Sequence, residues 1–175
     1  TPPDADKWKS VSGLAMFVGN LYVLDSASGQ LWKHEPDRTG RFGAAVPFIA
    51  TPLAANTARS VAVDGDVWIV TATGEVLRLR RQGLATAASR LEFTARWDGE
   101  AARPVAIQAL ESQRSLYLLD ASGNRVIRMT RDGRDTARFA LPQDLSPASA
   151  FYVSEGQQLA YTAHGGKLAV TSIAR

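Results

Sequence analysis

Four segments of this chain repeat one another, and the repeat limits what the chain can fold into more than any other feature. The segments are Leu21 to Lys33 (LYVLDSASGQLWK), Val67 to Leu79 (VWIVTATGEVLRL), Leu116 to Met129 (LYLLDASGNRVIRM) and Leu159 to Ser172 (LAYTAHGGKLAVTS). Their starts are 46, 49 and 43 residues apart. Each segment is a β-branched and aromatic run, a glycine-containing turn, and a second run that alternates apolar with polar, which is the pattern of a β-hairpin. The turn glycine supplies the positive φ that a tight hairpin needs. In the second runs, Arg78 and Arg128 fall on the side opposite the buried residues.

A further apolar stretch precedes each hairpin: Leu14–Val18, Ser60–Val63, Pro104–Ile107 and Ala150–Val153. A fourth candidate strand follows three of them: Pro47–Ala50, Leu91–Thr94 and Ala137–Ala140. Asp64-Gly65-Asp66 and Glu155-Gly156 read as turns between first and second strands. Helical periodicity is nowhere sustained. A β-unit of this length that recurs is the period of a four-stranded propeller blade, and such units bury their faces by stacking on one another. The expected fold is therefore all-β, a β-propeller of about four blades of four antiparallel strands. The expected organisation is a linker over 1–5 and propeller blades over 6–175. The blades span approximately 12–55, 56–100, 101–146 and 147–175, with 6–11 as a closing strand or the last strand of a preceding blade. The fourth copy ends after its third strand. The chain is expected to be an open arc or to self-associate, with further blades upstream.

Gly19 to Trp32 (GNLYVLDSASGQLW) resembles the repeat of the pyrroloquinoline-quinone-type propellers, which carry an Asp, a Gly and a Trp near these spacings. Together with Ser60 to Ile69 (SVAVDGDVWI) and Leu116 to Val126 (LYLLDASGNRV), it is also similar to NHL-like six-bladed propellers. These runs look like the C-terminal propeller region of bacterial proteins in which the propeller follows a PPM-type phosphatase or a membrane segment. The resemblance implies part of a six-bladed ring, facing outside the cytoplasm. Six-bladed lactonase-type enzymes resemble this fold too, and they use a metal held by Glu, Asn and Asp on central strands.

Composition narrows the chemistry. There are no cysteines, which removes disulfides, thiolate metal sites and cysteine nucleophiles. No apolar run reaches the length of a membrane-spanning helix, and the first residues show no basic start followed by an apolar run. Net charge is +3, with all twelve basic groups of residues 76–138 being arginine against seven acids. These arginines read as solvated strand-face residues, so no nucleic acid is expected as partner.

The two histidines, His34 and His164, lie about 130 positions apart and read as ordinary exposed residues at a strand end and in a hairpin turn. No metal cluster, nucleophile elbow or phosphate loop is present, so no catalytic residue, metal or cofactor is expected. Asp25 and Asp120 recur at one place in the repeat, where an Asp at a turn start bonds backbone N–H groups two residues on. Trp32, Trp68, Tyr22, Tyr117 and Tyr161 read as packing between blades. Function on such a scaffold belongs to its loops. The turns at 25–29, 71–75, 120–124 and 163–166 should share one face with the loops that join blades. On that face the candidate ligand-binding residues are Asp25, Ser28, Thr73, Asp120, Asn124 and His164. The function expected is a non-enzymatic binding, sensing or protein-interaction module for a protein or small-molecule ligand. The alternatives are a six-bladed lactonase or hydrolase and a purely structural assembly domain.

Overall fold

A computed structural model describes residues 2–145 and 147–174. Thr1, Ser146 and Arg175, which fall at the bounds expected for the linker and the last two blades, lie outside the described residues. The chain forms four antiparallel sheets, one after another along the sequence. Blade 1 is β1 (Val11–Phe17), β2 (Asn20–Asp25), β3 (Gln30–His34) and β4 (Val46–Pro47). Blade 2 is β5 (Ala58–Val63), β6 (Val67–Thr71), β7 (Val76–Arg81) and β8 (Ala88–Leu91). Blade 3 is β9 (Ala106–Gln108), β10 (Leu116–Asp120), β11 (Arg125–Met129) and β12 (Asp135–Ala140). Blade 4 is β13 (Ala150–Ser154), β14 (Leu159–His164) and β15 (Lys167–Ser172). The strands of each sheet lie in sequence order, a to d from inside to outside. This is the β-propeller arrangement expected from the repeat.

The second strands of the two middle blades carry the core because they are covered on both sides. β6 and β10 are buried at every residue, which is why they read as unbroken apolar runs rather than alternating ones. Three apolar clusters join successive blades. Leu24, Leu31 and Tyr22 of blade 1 meet Val61, Ile69 and Leu77 of blade 2. Trp68, Val70 and Val76 of blade 2 meet Leu118, Ile127 and Met129 of blade 3. Tyr117, Leu119 and Val126 of blade 3 meet Val153, Ala160 and Ile173 of blade 4.

Polar links add to these clusters. The Gln108 side chain donates to the Val153 carbonyl (2.7 Å) and accepts from the Val153 N–H (2.8 Å), so one amide ties blade 3 to blade 4 as a strand would. On the outside, parallel bridges link Ile49 to Ala88 and Arg96 to Arg134, latching blade 1 to blade 2 and blade 2 to blade 3.

Differences from the expected boundaries have physical reasons. The outer strands are shorter or displaced: β4 has two residues and β8 starts at Ala88 rather than Leu91. An outermost strand has one sheet neighbour and a solvated side, so its pattern is weak. Residues 6–11 form no closing strand. Ala5–Lys7 is a short 3-10 turn, and Val11 begins β1. The N-terminal segment folds across blade 1 instead: the Lys9 and Ser10 amides donate to the Asp25 carboxylate (3.3 and 2.8 Å), and Asp4 accepts from the Ala45 N–H (3.2 Å). The ring of the Trp8 side chain meets His34 edge-on at 5.3 Å. This fold-back buries His34 completely, contrary to the exposed position expected for it. β15 pairs with β14 and, among the described residues, with no other strand.

Gly29 shows how the turns fix the blade-joining loops. Its φ is 66°, and a Cβ there would overlap the Leu53 carbonyl of the loop between blades 1 and 2. The Leu53 N–H donates to the Gly29 carbonyl at 2.8 Å. Gly29→Ala is therefore expected to destabilise by about 2 kcal/mol or more, combining left-handed backbone strain with displacement of the loop. Gly40, with φ 81° and open space around it, provides the comparison; Gly40→Ala should lose only the backbone part, about 1 kcal/mol. Urea unfolding of the two variants measures both.

Candidate functional site

The b–c turns do share one face with the blade-joining loops. Asn56 N–H donates to Ser26 C=O (2.6 Å), Ala72 N–H to Thr57 C=O (2.5 Å) and Leu141 N–H to Asn124 C=O (2.8 Å). The candidate residues named from the sequence lie on that face, but mostly bonded to their own turns. Asp25 is fully buried and accepts from the Ser28 hydroxyl (2.6 Å) as well as from the Ser10, Lys9 and Ala27 amides. Asp120 is equally buried and accepts from the Ser122 hydroxyl (2.7 Å), the Gly123 N–H and Arg125. Asn124, with φ 45°, donates to the Leu141 carbonyl at 2.9 Å. Thr73 is exposed, and its hydroxyl lies 2.9 Å from that of Thr71. His164 is not in a turn. It ends β14 opposite Lys167, because Gly165 and Gly166 (φ 54° and 78°) form a two-residue turn by themselves.

These turn carboxylates make the fold acid-sensitive. Burial alone would raise the Asp25 carboxyl, but hydrogen bonds from Ser28 and the Ser10, Lys9 and Ala27 amides outweigh it and hold it below its ordinary value. Asp120 is held low in the same way, burial being overcome by Ser122, Gly123 and Arg125. A carboxylate depressed in the folded state contributes stability above its unfolded pKa, near 4, that is lost as pH falls through the folded value. Stability should fall as pH drops below about 4, and Asp25→Asn and Asp120→Asn should flatten that part of the curve. Thermal melts from pH 6 to pH 2 measure it.

The concavities gather on the opposite face, formed by the a–b turns and the c–d ends. One of about 480 Å³ lies between blades 2 and 3 and is lined by Asp64, Asp66, Arg78, Arg80, Arg81 and Arg131, among others. Another, of about 490 Å³, lies between blades 3 and 4, with Arg114, Tyr117, Arg128 and Glu155 in its wall. A third, of about 320 Å³, lies between blades 1 and 2, with Tyr22, Lys33, Phe48 and Arg81.

These grooves repeat because the blades repeat. In three blades an aromatic on strand b pairs across the sheet with a cation on strand c: Tyr22 with Lys33, Trp68 with Arg78, Tyr117 with Arg128. A phenylalanine follows on the outer side. Lys33 sits 5.9 Å from the Phe48 ring, Arg78 5.2 Å from the Trp68 ring and Arg128 5.8 Å from the Phe139 ring. Trp68 in turn meets Phe93 edge-on at 5.3 Å.

Carboxylates brace the same face. Asp66 binds Arg78 and Arg80. Asp64 accepts from the Trp68 indole (3.0 Å) and pairs with Arg131, which also donates to the Leu110 and Gln113 carbonyls (3.1 and 2.9 Å). Glu155 of blade 4 accepts from the Arg114 and Ser115 amides and the Tyr117 hydroxyl (3.0, 3.1 and 3.1 Å). Burial and that carboxylate raise the Tyr117 phenol.

The arginines are thus not merely solvated strand-face residues. Among the described residues, seven of the twelve between 76 and 138 form ion pairs: Arg78, Arg80, Arg90, Arg96, Arg125, Arg131 and Arg138. Arg81 is exposed and has no ion pair among the described residues. Reading the sequence missed this face, although the aromatic-to-cation spacing across each hairpin was a signal for it. No group of three or more His, Cys, Asp or Glu is placed to hold a metal among the described residues.

No protein-family model matches the chain, and no curated protein matches it in sequence. Solved structures do match its shape. Virginiamycin B lyase from Staphylococcus aureus aligns with a TM-score of 0.61 at 12% identity, over 92% of this chain and 50% of its own. The periplasmic gluconolactonase of Pseudomonas aeruginosa aligns with a TM-score of 0.62 at 15% identity, over 93% and 49%. The computationally designed protein Ika4 aligns with a TM-score of 0.62 at 12% identity, over 99% and 96%. The lyase and the lactonase are β-propeller proteins, and this chain spans about half the length of each. At these identities the likeness establishes the fold alone.

Proposed function

We propose that this propeller is a non-enzymatic binding module whose partner is an acidic protein segment that docks on the face formed by the a–b turns and c–d ends. The observation that carries the reading is the recurrence of one groove chemistry at three successive blade junctions. The grooves between blades 1 and 2 and between blades 3 and 4 set a lysine or arginine beside an aromatic ring. The groove between blades 2 and 3 holds Arg78 over the buried Trp68 ring, and the charged side chains lining each groove sum to a positive value. Aromatic and arginine side chains together are the usual anchors of protein interfaces. Three such grooves in series suit an extended segment better than a compact small molecule. Half of the groove-lining arginines, Arg78, Arg80 and Arg131, are already neutralised, which suits a few spaced carboxylates rather than a polyphosphate chain, so nucleic acid is not the proposed partner. The likeness to NHL-type repeats makes an extracytoplasmic location part of the proposal.

The test is fluorescence anisotropy with labelled peptides that alternate Asp or Glu with aromatic residues. Binding should weaken at least about tenfold in Arg81→Glu and rise as salt is lowered. Equal binding by wild type and variant would overturn the reading. A lactonase- or lyase-type enzyme is the second reading, favoured by the fold likeness described above. Turnover of a lactone by the purified chain with added divalent metal would displace the binding module in its favour.

A further inference from the structure

We propose that the groove between blades 1 and 2 is a binding site for a carboxylate carried on a flat apolar body, such as an arylalkanoic acid. The comparison that carries it lies within the chain. Leu21–Asp25 and Leu116–Asp120 are copies of one strand, so Tyr22 and Tyr117 occupy the same place in the repeat. Each pairs across the sheet with a cation, Lys33 or Arg128. Each lines a groove whose opposite wall includes the a–b turn of the next blade. Between blades 3 and 4 that turn supplies Glu155, whose carboxylate accepts from the Tyr117 hydroxyl at 3.1 Å and from the Arg114 and Ser115 amides. Between blades 1 and 2 no carboxylate arrives. Asp64 of the corresponding turn is engaged by Trp68 and Arg131, and Asp66 by Arg78 and Arg80. The turn residue that lines this groove is Gly65.

Tyr22 is therefore left with an unmatched donor. It is only 4% exposed, and its hydroxyl has no hydrogen-bond partner among the described residues. Burial pushes the phenol up, so at neutral pH it donates a hydrogen bond rather than ionising. The ring lines the cavity together with Lys33 and Arg81. Among the described residues no acidic side chain lines it, and the exposed Glu35 pairs with Lys33 from outside. Two cations and one acid leave a single positive charge, which matches a single carboxylate.

The rest of the wall selects what that carboxylate is attached to. Phe17, Val18, Phe48 and Val63 are apolar, and Tyr22 meets Phe48 edge-on at 5.1 Å. A flat ring can extend such a pair by offset or edge-on contact. Val18 stands in the wall at φ 47°, a left-handed conformation that strains a β-branched residue, and such strain gathers at ligand sites. The cavity, about 320 Å³, lies at the low end of the range for small-molecule sites, which are mostly apolar with a few placed polar groups. The acid is either free or borne by a docked segment, whose aromatic and acidic side chains share this chemistry. The inference goes beyond the docking reading, because a free acid fills the cavity without any segment.

Calorimetric titration with phenylacetate, phenylacetamide and acetate tests the site. Phenylacetate should bind one to one. The isosteric neutral amide and the ringless acetate should each bind at least about tenfold more weakly. Tyr22→Phe and Arg81→Gln should each cost about tenfold in affinity for phenylacetate, and Tyr117→Phe should cost nothing. In thermal melts without ligand, Tyr22→Phe should match wild type, since its hydroxyl bonds nothing, whereas Tyr117→Phe should melt lower. Equal binding of acid and amide, no binding of phenylacetate at millimolar concentration, or full affinity in both groove variants would overturn the proposal. The labelled acidic peptide is titrated in parallel. Its displacement by phenylacetate assigns the cavity to the side chains of a segment. Phenylacetate bound beside an undisplaced peptide, or with no peptide bound, assigns it to a free acid. Peptide binding without phenylacetate binding sinks this inference alone and leaves the docking reading standing.

Discussion

Replacing Arg131 with methionine is expected to lower the unfolding free energy by about 3–5 kcal/mol, because it leaves a buried carboxylate without its cation. The Asp64 side chain is almost completely enclosed and Arg131 only one-third exposed, so solvent cannot stand in for the lost partner. Arg131 also donates to the carbonyls of Leu110 and Gln113, so one side chain joins the a–b turn of blade 2 to that of blade 3. Asp64→Asn should recover part of the loss in the Arg131→Met background, since a neutral amide needs no counter-charge. Guanidinium unfolding of the single and double variants measures both effects. A loss under about 1 kcal/mol, typical of an exposed surface pair, would contradict the role assigned to this contact.

Trp68→Ala should be comparably severe, at about 3–5 kcal/mol, by a different route. The indole is fully buried between blades 2 and 3, edge-on to Phe93 and beneath the Arg78 guanidinium. Its removal leaves a cavity and takes one donor from Asp64. Because Trp68 and Arg131 hold the same carboxylate, their effects should not add. The double variant should differ from the sum by more than about 0.5 kcal/mol, beyond the scatter seen for independent sites. Additive losses would mean that the two blades are joined by separate contacts rather than through Asp64.

The blades were legible in the sequence because b strands buried on both sides have no choice of composition. Leu21, Val67, Leu116 and Leu159 mark the second strands to within one residue. The repeat also foretold that the b–c turns and the blade-joining loops share a face. The outer strands were less legible, since Val46–Pro47 and Ala88–Leu91 have one sheet neighbour and little burial to shape them. His34 was read as exposed because nothing local reveals that the N-terminal segment returns over it; Trp8 and His34 are far apart in sequence. The groove face was missed for a related reason. Arginine looks the same in a sequence whether it is solvated or paired, and the carboxylates that brace Arg131 and Arg78 come from turns 67 and 12 residues away.

Binding on the groove face rather than on the face of the b–c turns is the central expectation for this propeller. Amide shift mapping of the isotope-labelled chain with an acidic, aromatic-containing peptide decides this directly. The predicted result is a continuous set of shifts at the a–b turns and c–d ends, centred on Gly65, Arg81, Arg114 and Arg128, that disappears in Arg81→Glu. Shifts confined to the b–c turns around Ser28, Thr73 and Ser122, or none at peptide concentrations that saturate the anisotropy signal, would contradict it.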